Sequence, residues 1–186
     1  MELKEAIDTR RAYRSLRPVE VSDSAIKELA AAASMAPSCF NNQPWRYVFV
    51  RDKNVLRALQ GAMSKGNEWT SLASMVVAVL SKPELDCKIR EREYYQFDTG
   101  MATAFMILKA TELGLVAHPI AGFSPKKVKD VLGIPEDMML ITLVIVGQRN
   151  EEIDPLLDEG QRDREKTRPG RYPFEMFAYM DRYDVK

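Results

Sequence analysis

The feature that most constrains the fold is an almost unbroken apolar run from Met138 to Val146, interrupted only by Thr142. A helix needs about twice this length to cross a bilayer, and such continuous apolar character is typical of a strand covered on both faces. The segments Met75–Leu80 and Trp45–Val50 are similarly rich in apolar, β-branched and aromatic residues. We therefore expect a buried sheet with other elements packed against it.

Helix signals lie between and around these strands. Apolar spacing and capping residues predict helices at residues 2–15, after the N-cap Ser22, after Asp52, from about Glu91 to Gly114, and from Ser124 to Gly133. The long fourth helix is apolar on several sides, so we expect it to be central. Helices packed on a modest sheet give an α+β fold.

Composition limits the class of protein. The 186 residues suit one domain, residues 1–186. The 27 basic and 27 acidic side chains cancel, which gives no global field for nucleic acid or acidic lipid. The N-terminus has no apolar core typical of a signal peptide, and we expect no membrane span. Cys39 and Cys87 have no metal-ligand spacing and suggest neither a disulfide framework nor a zinc site, which fits a cytoplasmic protein.

The last part of the chain changes character. From Gln148 to Arg171 it is charged and interrupted by proline, and five aromatic residues then follow in quick succession: Tyr172, Phe174, Phe177, Tyr179 and Tyr183. An exposed aromatic strip invites association. We therefore expect this tail to cover apolar surface on its own chain or on a partner.

Four arginines lie close together near the N-terminus: Arg10, Arg11, Arg14 and Arg17. On the predicted first helix, Arg10, Arg14 and Arg17 share a face, where like charges repel unless they share an anion. The guanidinium fork suits phosphate and stays charged. The alternative is a solvated basic patch paired with the nearby acidic residues Glu2, Glu5 or Glu20.

A polar loop precedes the first predicted strand. It carries Ser38, Cys39, Asn41 and Gln43, with Pro37 and Pro44 fixing its ends. Its hydroxyl and amide groups can recognise the edge of a planar heterocycle in an otherwise apolar pocket. The alternative is a turn whose amides satisfy backbone groups before the strand.

Taken together, several segments resemble the nitroreductase family of FMN enzymes, in the same order and spacing, from residue 2 to about 178. They are Arg10–Arg14, Pro37–Trp45, Asp98–Gly100 with Ala102, Gly114–Leu115, Pro119–Phe123 and Gly133–Pro135. The resemblance implies a nitroreductase-like fold with a central mixed or antiparallel sheet of about four to five strands flanked by helices. It also implies a domain-swapped homodimer, with FMN at the subunit interface and the segment from about 148 to 186 wrapped onto the partner.

The resemblance also implies roles for individual residues. Arg10 and Arg11 would hold the FMN phosphate, assisted by Arg171 and Arg168, and Arg14 would lie near the N1 and O2 edge of the flavin. A fixed cation at that edge stabilises the two-electron reduced cofactor. Within Pro119, Ile120, Ala121 and Gly122, the backbone N–H of Gly122 would approach N5, where hydride arrives, and the absence of a Cβ leaves room.

The remaining contacts implied by the resemblance come from two loops. Ser38, with Pro37 and Cys39, would contact the ring from the second subunit, and Asn41 and Gln43 would lie near the ring or shape the loop. Asn67 is a flavin-edge ligand by rough position. Ala12 and Ala121 depart from common family patterns, which have a serine and, in one branch, an acidic residue, so the branch is left open.

The functional hypothesis is a ping-pong reduction, in which NADH or NADPH reduces the flavin and a small oxidant, such as a nitroaromatic or a quinone, is then reduced. The lack of a Gly-x-Gly-x-x-Gly motif agrees, because a transient donor stacked on flavin needs no Rossmann site. We assign no catalytic side chain and no metal. The alternatives are an oxygen-using or reductive-dehalogenase flavin enzyme, or a non-catalytic flavin or phosphate-ligand binding protein. His118, the only histidine, lacks the Gly-x-Ser-x-Gly context of a hydrolase and is interpreted as a partly buried imidazole.

Overall fold

A computed structural model of the chain describes residues 1–183. Five of its strands form one antiparallel sheet, and β4 and β5 form a separate hairpin. The strands are β1 Leu16–Arg17, β2 Arg46–Val50, β3 Met75–Ser81, β4 Lys88–Ile89, β5 Arg92–Glu93, β6 Val116–Ile120 and β7 Met139–Arg149. The predicted count of four to five sheet strands is confirmed, and the pairing is antiparallel throughout.

β7 is the organising strand of the sheet. It pairs with β3, with β6 and, at its end, with β1, whereas β2 adds to the far side of β3. Val144 of β7 lies opposite Val77 of β3 and Pro119 of β6. The apolar run that predicted a doubly covered strand is thus the strand on which three others align.

Residues 1–183 contain six α-helices around the sheet: α1 Leu3–Thr9, α2 Asp23–Ser34, α3 Lys53–Gln60, α4 Tyr95–Glu112, α5 Pro125–Leu132 and α6 Glu159–Lys166. Three predicted N-caps are confirmed, because Ser22, Asp52 and Ser124 each accept a backbone N–H of the following turn. Gly133 ends α5 with φ of 65°, in the left-handed region that a residue with a Cβ rarely adopts.

The core lies on both faces of the sheet. Ala78, Leu143 and Ile145 pack on one face with side chains from α3 and α5, and Val77, Val144 and Val146 pack on the other with side chains from α2 and α4. Alternate residues of β3 and β7 thus enter opposite halves of the core. This confirms that the central strands are covered on both sides.

The first helix is shorter than the sequence predicts. α1 ends at Thr9, and residues 10–15 continue without helical structure. The backbone N–H groups of Arg14 and Ser15 donate to the Glu165 carboxylate, so they are not available for helical hydrogen bonds. The prediction of a helix over residues 2–15 is therefore wrong, and the arginines do not share a helix face.

The long helix α4 begins at Tyr95, because residues 88–93 form the β4–β5 hairpin that the apolar pattern does not predict. One side of α4 packs on α2 and the sheet, but Phe97 and Phe105 remain 63% and 41% exposed. The expectation that this helix is central is therefore confirmed for the side that packs on α2 and the sheet, whereas the side that carries Phe97 and Phe105 is exposed in one chain. Tyr172, Phe174 and Phe177 of the tail are exposed as well.

The two cysteines also differ from expectation. Cys39 and Cys87 form a disulfide with a Cα–Cα distance of 6.0 Å, across 48 residues of chain. The sequence interpretation that excluded a disulfide was wrong, because two distant segments meet in a way that spacing does not reveal. Both cysteines also lie near Asp86, but sulfurs bonded to each other are not free to bind a metal. Within residues 1–183, no helix combines the length and the apolar character needed to span a bilayer.

Candidate functional site

A small pocket near both ends of the chain is lined by six arginines and no acidic side chain. Its volume is about 190 Å³. The arginines come from three places: the segment after α1, helix α6, and the chain that follows α6. They are Arg10, Arg11, Arg14, Arg164, Arg168 and Arg171, with Ala12 and Pro169 completing the lining.

Arg10 is one of the pocket arginines that have no acidic partner in the described part of the chain. Within residues 1–183 it makes no ion pair. Burial lowers the pKa of its guanidinium, and the positive charges of Arg168 and Arg171 lower it further. Each cation therefore raises the energy of the others, and a bound anion would remove that repulsion.

Arg11 holds the end of α6. Its Nη2 donates to the carbonyl oxygens of Arg164 and Thr167 at 2.8 and 2.9 Å. Its guanidinium carbon also lies 4.5 Å from the ring centre of Tyr13. A cation at carbonyls that lack helical partners compensates the negative end of the helix. Arg11 thus joins the N-terminal segment to α6 as well as lining the pocket.

The segment after α6 returns to α1 in the same way. Arg168 donates from Nη1 to the carbonyl oxygen of Asp8, at the end of α1. Arg171 donates to the carbonyls of Pro169 and Gly170 within its own turn. The Arg168 contact therefore joins the segment after α6 to α1 at the pocket, whereas Arg171 lines the pocket and, among the described residues, bonds only within its own turn.

Glu165 is a buried carboxylate beneath the arginines. It accepts the N–H of Arg14 at 2.9 Å and that of Ser15 at 3.2 Å. Burial lowers the pKa of the Arg14 guanidinium, and the charge of Glu165 opposes that shift. The guanidinium carbon of Arg14 lies 5.9 Å from the ring centre of Trp69, within cation–π range.

His118 supports the same segment from the sheet. Its ring stacks on Trp69 with centroids 4.8 Å apart, and Nδ1 lies 3.0 Å from the carbonyl oxygen of Tyr13. The carbonyl can only accept, so Nδ1 carries the proton. Burial lowers the pKa of His118 to about 4, against a smaller raising effect of the Tyr13 carbonyl. The imidazole of His118 is thus buried and neutral at pH 7.

Asn67 and Gly122, predicted separately, are hydrogen-bonded partners. Asn67 Nδ2 donates to the carbonyl oxygen of Gly122 at 2.8 Å, and a Cβ on Gly122 would lie 2.3 Å from that nitrogen. Only glycine fits there without a shift. The N–H of Gly122 makes no hydrogen bond within residues 1–183. Beside it, Pro119 and Ala121 are exposed, and Ile120 points into the core.

The loop that the sequence predicts to contact the flavin ring lies outside the arginine pocket of its own chain. Within residues 1–183, the loop from Pro37 to Gln43 is hydrogen-bonded to itself, to Arg46 of β2, and to the α4 and hairpin region, but not to the arginine pocket. Cys39 N–H, for example, donates to Asp98 Oδ2 at 2.7 Å. Phe40, Asn41 and Gln43 have positive φ, and the Phe40 side chain is 86% exposed. One chain therefore does not unite this loop with the pocket.

Three site residues were missed from the sequence. Glu165 and Arg164 lie in α6, which the charged composition of residues 148–171 concealed, and Trp69 lies in a short 3-10 turn, Glu68–Leu72. One usable signal was present, because Asp158 and Gln161 form a capping box. No comparable sequence signal predicts that Trp69 lies beside Arg14 and His118.

We expect Gly122→Ala to destabilise the protein by about 1–3 kcal/mol, because the new Cβ would clash with Asn67. In an Asn67→Ala background the obstructing nitrogen is absent, so the same change should cost less. Urea unfolding of the single and double variants measures this coupling. Gly100→Ala, where no atom lies within 4 Å of the added Cβ, is the matched control. Equal costs in both backgrounds would contradict the contact.

His118 should also make stability depend on pH. Its folded pKa of about 4 lies below the usual 6.5, so between these values the unfolded chain binds a proton that the folded chain does not. Stability should therefore fall with falling pH across this window, by up to about 1.4 kcal/mol per unit. His118→Phe should flatten the wild-type slope between pH 6.5 and 4.5 in urea unfolding. Because no other histidine is present, an unchanged slope would refute this assignment.

Known proteins share both the sequence pattern and the fold. The family model described as the nitroreductase family matches residues 7–70 and 65–148. A protein of Archaeoglobus fulgidus, whose name pairs NADH dehydrogenase with NAD(P)H nitroreductase, is 32% identical over 158 residues, covering 82% of this chain and 88% of its own. A Thermus thermophilus protein named NADH dehydrogenase is 27% identical over 183 residues, covering 82% and 89%.

Solved structures agree with this fold. A crystal structure described as an oxidoreductase containing FMN superposes with a TM-score of 0.85 at 24% identity, covering 98% of this chain and 93% of its own. A nitroreductase family protein from Clostridium novyi gives a TM-score of 0.76 at 23% identity, covering 81% and 87%. With a family model that spans most of residues 7–148, the chain belongs to the nitroreductase family.

Proposed function

We propose that the chain is an FMN-dependent oxidoreductase that uses NADH or NADPH to reduce small oxidants. The observation that carries this proposal is the arginine pocket, which has six cations and no acidic residue in its lining. Such a pocket is matched to a phosphoryl group, which accepts several charge-assisted hydrogen bonds at once. The N–H of Gly122, which makes no hydrogen bond within residues 1–183, adds a donor suited to a heterocycle edge.

Each arginine then has its own part in binding. Arg10, Arg168 and Arg171 would hold the phosphate, because their charges repel one another in the absence of an anion. Arg11 would contribute through N–H groups other than Nη2, which is bonded to carbonyls of the α6 end. Arg14 would place its charge at the N1 and O2 edge, held there by the contact of its backbone with Glu165.

Bound FMN would supply the two-electron chemistry, with NADH or NADPH as the donor and a nitroaromatic, quinone or similar molecule as the acceptor in a ping-pong order. The chain's residues orient the cofactor rather than exchange protons with it. His118 is neutral and hydrogen-bonded to Tyr13. Gly122 would offer its N–H to N5, with Asn67 fixing the backbone, beside Pro119, Ile120 and Ala121. The names of the relatives support a nicotinamide donor, and the cytoplasm is where that donor is supplied.

A homodimer would complete the site. The Pro37–Gln43 loop, with Ser38, Cys39 and Asn41, does not bond to the arginine pocket of its own chain, so a second copy would bring it to the ring. Phe97, Phe105 and the tail aromatics leave apolar surface exposed, as expected of a chain that associates. We propose that the tail from about 148 wraps onto the partner in a domain-swapped manner; residues 184–186 lie outside the described part.

Arg10→Ala and Arg171→Ala should each weaken FMN binding by about one to three orders of magnitude, since charged hydrogen bonds contribute about 1.5–3 kcal/mol. Quenching of FMN fluorescence on titration gives the affinity. Arg57→Ala, on the exposed side of α3, is the control and should bind FMN as the wild type does. Unchanged affinity in both pocket variants would remove these arginines from the site.

The reaction itself is tested without oxygen. Addition of NADH or NADPH to the FMN-loaded protein should bleach its absorbance at about 450 nm, which is a property of the cofactor. A quinone added afterwards should restore this absorbance. Protein that stays yellow with both donors would exclude them. Protein that binds no FMN, but is stabilised by another phosphate compound, would instead indicate a non-catalytic binding protein.

A further inference from the structure

A disulfide bond anchors the Pro37–Gln43 loop, which we assign to the flavin ring. The Cys39–Cys87 disulfide links that loop to the chain just before the β4–β5 hairpin. Both cysteines are partly exposed, and Phe40 next to Cys39 is 86% exposed. The disulfide therefore lies near the surface, outside both clusters of core residues, and attack on it by a thiol does not require the core to unfold.

Two carboxyl groups lie against this disulfide. A carboxylate oxygen of Asp86 and the sulfur atoms of Cys39 and Cys87 all lie within 4.8 Å of one another. Asp98, which is 2% exposed, accepts the N–H of Cys39. Oδ2 of Asp86 is buried and has no hydrogen-bond partner within residues 1–183. The pair has no cation to compensate it, since neither aspartate forms an ion pair in that part of the chain.

Such a pair is suited to holding one proton. Burial raises the pKa of Asp98, and the neighbouring carboxyl of Asp86 raises it further, whereas the Cys39 N–H lowers it. Asp86 is the one charged group with a resolved effect on Asp98. Two adjacent carboxyls cannot both ionise as readily as isolated ones, so their proximity favours keeping one proton between them.

We propose that Cys39 and Cys87 form a thiol–disulfide exchange site for small dithiols, in which Asp86 and Asp98 supply and take back the proton. The thiolate of the dithiol attacks the sulfur of Cys39, the Cys39–Cys87 bond breaks, and the sulfur of Cys87 leaves and receives the shared proton. The second thiol of the dithiol gives its proton to the carboxyl pair and attacks the dithiol sulfur of the mixed disulfide. The bond between that sulfur and Cys39 breaks, and the Cys39 sulfur leaves and takes a proton from water. The dithiol is oxidised to a disulfide, and the two cysteines are reduced to thiols.

The choice of Cys87 as the leaving sulfur follows from its neighbours. Asn42 Nδ2 lies 3.3 Å from the Cys87 sulfur and can donate to it, and the backbone N–H of Cys87 donates to Asp86 Oδ1 at 2.8 Å. A donor that points at a sulfur stabilises the thiolate that forms on bond breakage. The carboxyl next to Cys87 is then in place to protonate it, directly or through one water.

Reduction would also change the loop that holds the flavin ring, a consequence that rests on the proposed function. Three residues of the loop, Phe40, Asn41 and Gln43, have positive φ, a conformation that persists only where surrounding contacts enforce it. The disulfide is the one covalent contact among those that hold the loop. Its opening should let these residues relax and should alter FMN affinity.

The exchange is tested on the full folded protein with dithiothreitol as the dithiol. Trapping of free thiols by alkylation, followed by mass measurement, gives the rate of reduction from pH 6 to 9. We expect Asp98→Asn, which keeps an acceptor for the Cys39 N–H, to slow reduction about tenfold or more near pH 7 and to change the shape of the pH profile. Asp86→Asn should act in the same direction, and Asp130→Asn on α5 is the control.

Circular dichroism and urea unfolding of each variant show that it is folded. Reduction at the wild-type rate and with the wild-type pH profile in both folded variants would overturn the proton role. Reduction that occurs only under conditions that unfold the chain would overturn the exchange site. Either result is obtained without FMN and is independent of the proposed function.

The coupling is tested by FMN titration of the oxidised wild type and of the Cys39→Ser/Cys87→Ser variant. We expect the affinities to differ several-fold, and reduced wild type to match the double serine variant. Equal affinities would overturn the coupling. Failure of both forms to bind FMN at all would instead refute the proposed function, while the exchange rates would still decide the dithiol reaction.

Discussion

The convergence of arginines from both ends of the chain is the constraint on which the rest of the site depends. Arg10, Arg168 and Arg171 raise one another's energy, so the fold must hold them together by other means. Arg11 does so through the carbonyls at the end of α6, and Glu165 does so through the backbone of the N-terminal segment. Arg11 and Glu165 each bond to backbone groups in these contacts. No acidic side chain therefore needs to enter the arginine lining of the pocket. A bound phosphate would turn this repulsion into attraction.

The remaining geometry follows from how that segment is held. His118, from β6, supports Tyr13 and stacks on Trp69, and the same strand leads directly to Gly122, where Asn67 fixes the backbone. The arginine pocket and the Gly122 edge therefore belong to one connected arrangement within a chain. The Pro37–Gln43 loop is held by α4 and the hairpin region instead, and its fixed conformation depends on contacts with Asp98, Asp86 and Cys87. This division agrees with a site that two chains complete.

The sequence predicted what local chemistry determines. The apolar run of β7, the caps Ser22, Asp52 and Ser124, and the left-handed Gly133 each carry their signal within a few residues, and all are present. The arginines and Gly122 were identified by pattern and resemblance, but not their conformation: the predicted helix over residues 2–15 ends at Thr9 because Glu165, 150 residues away from Ser15, takes the N–H groups. The disulfide was missed for the same reason, since only the fold brings Cys39 to Cys87. In each of these cases, a contact between distant segments, and not local propensity, determines the structure.

If the arginine pocket binds the phosphate of a flavin, it should distinguish FMN from riboflavin, which has the same ring without the phosphate. Isothermal titration of the purified protein at low ionic strength gives both dissociation constants. We expect FMN to bind at least about a hundredfold more tightly than riboflavin, because riboflavin cannot accept the two or more charged hydrogen bonds that the phosphate would. Equal affinity for the two flavins, or no measurable affinity for either, would contradict it.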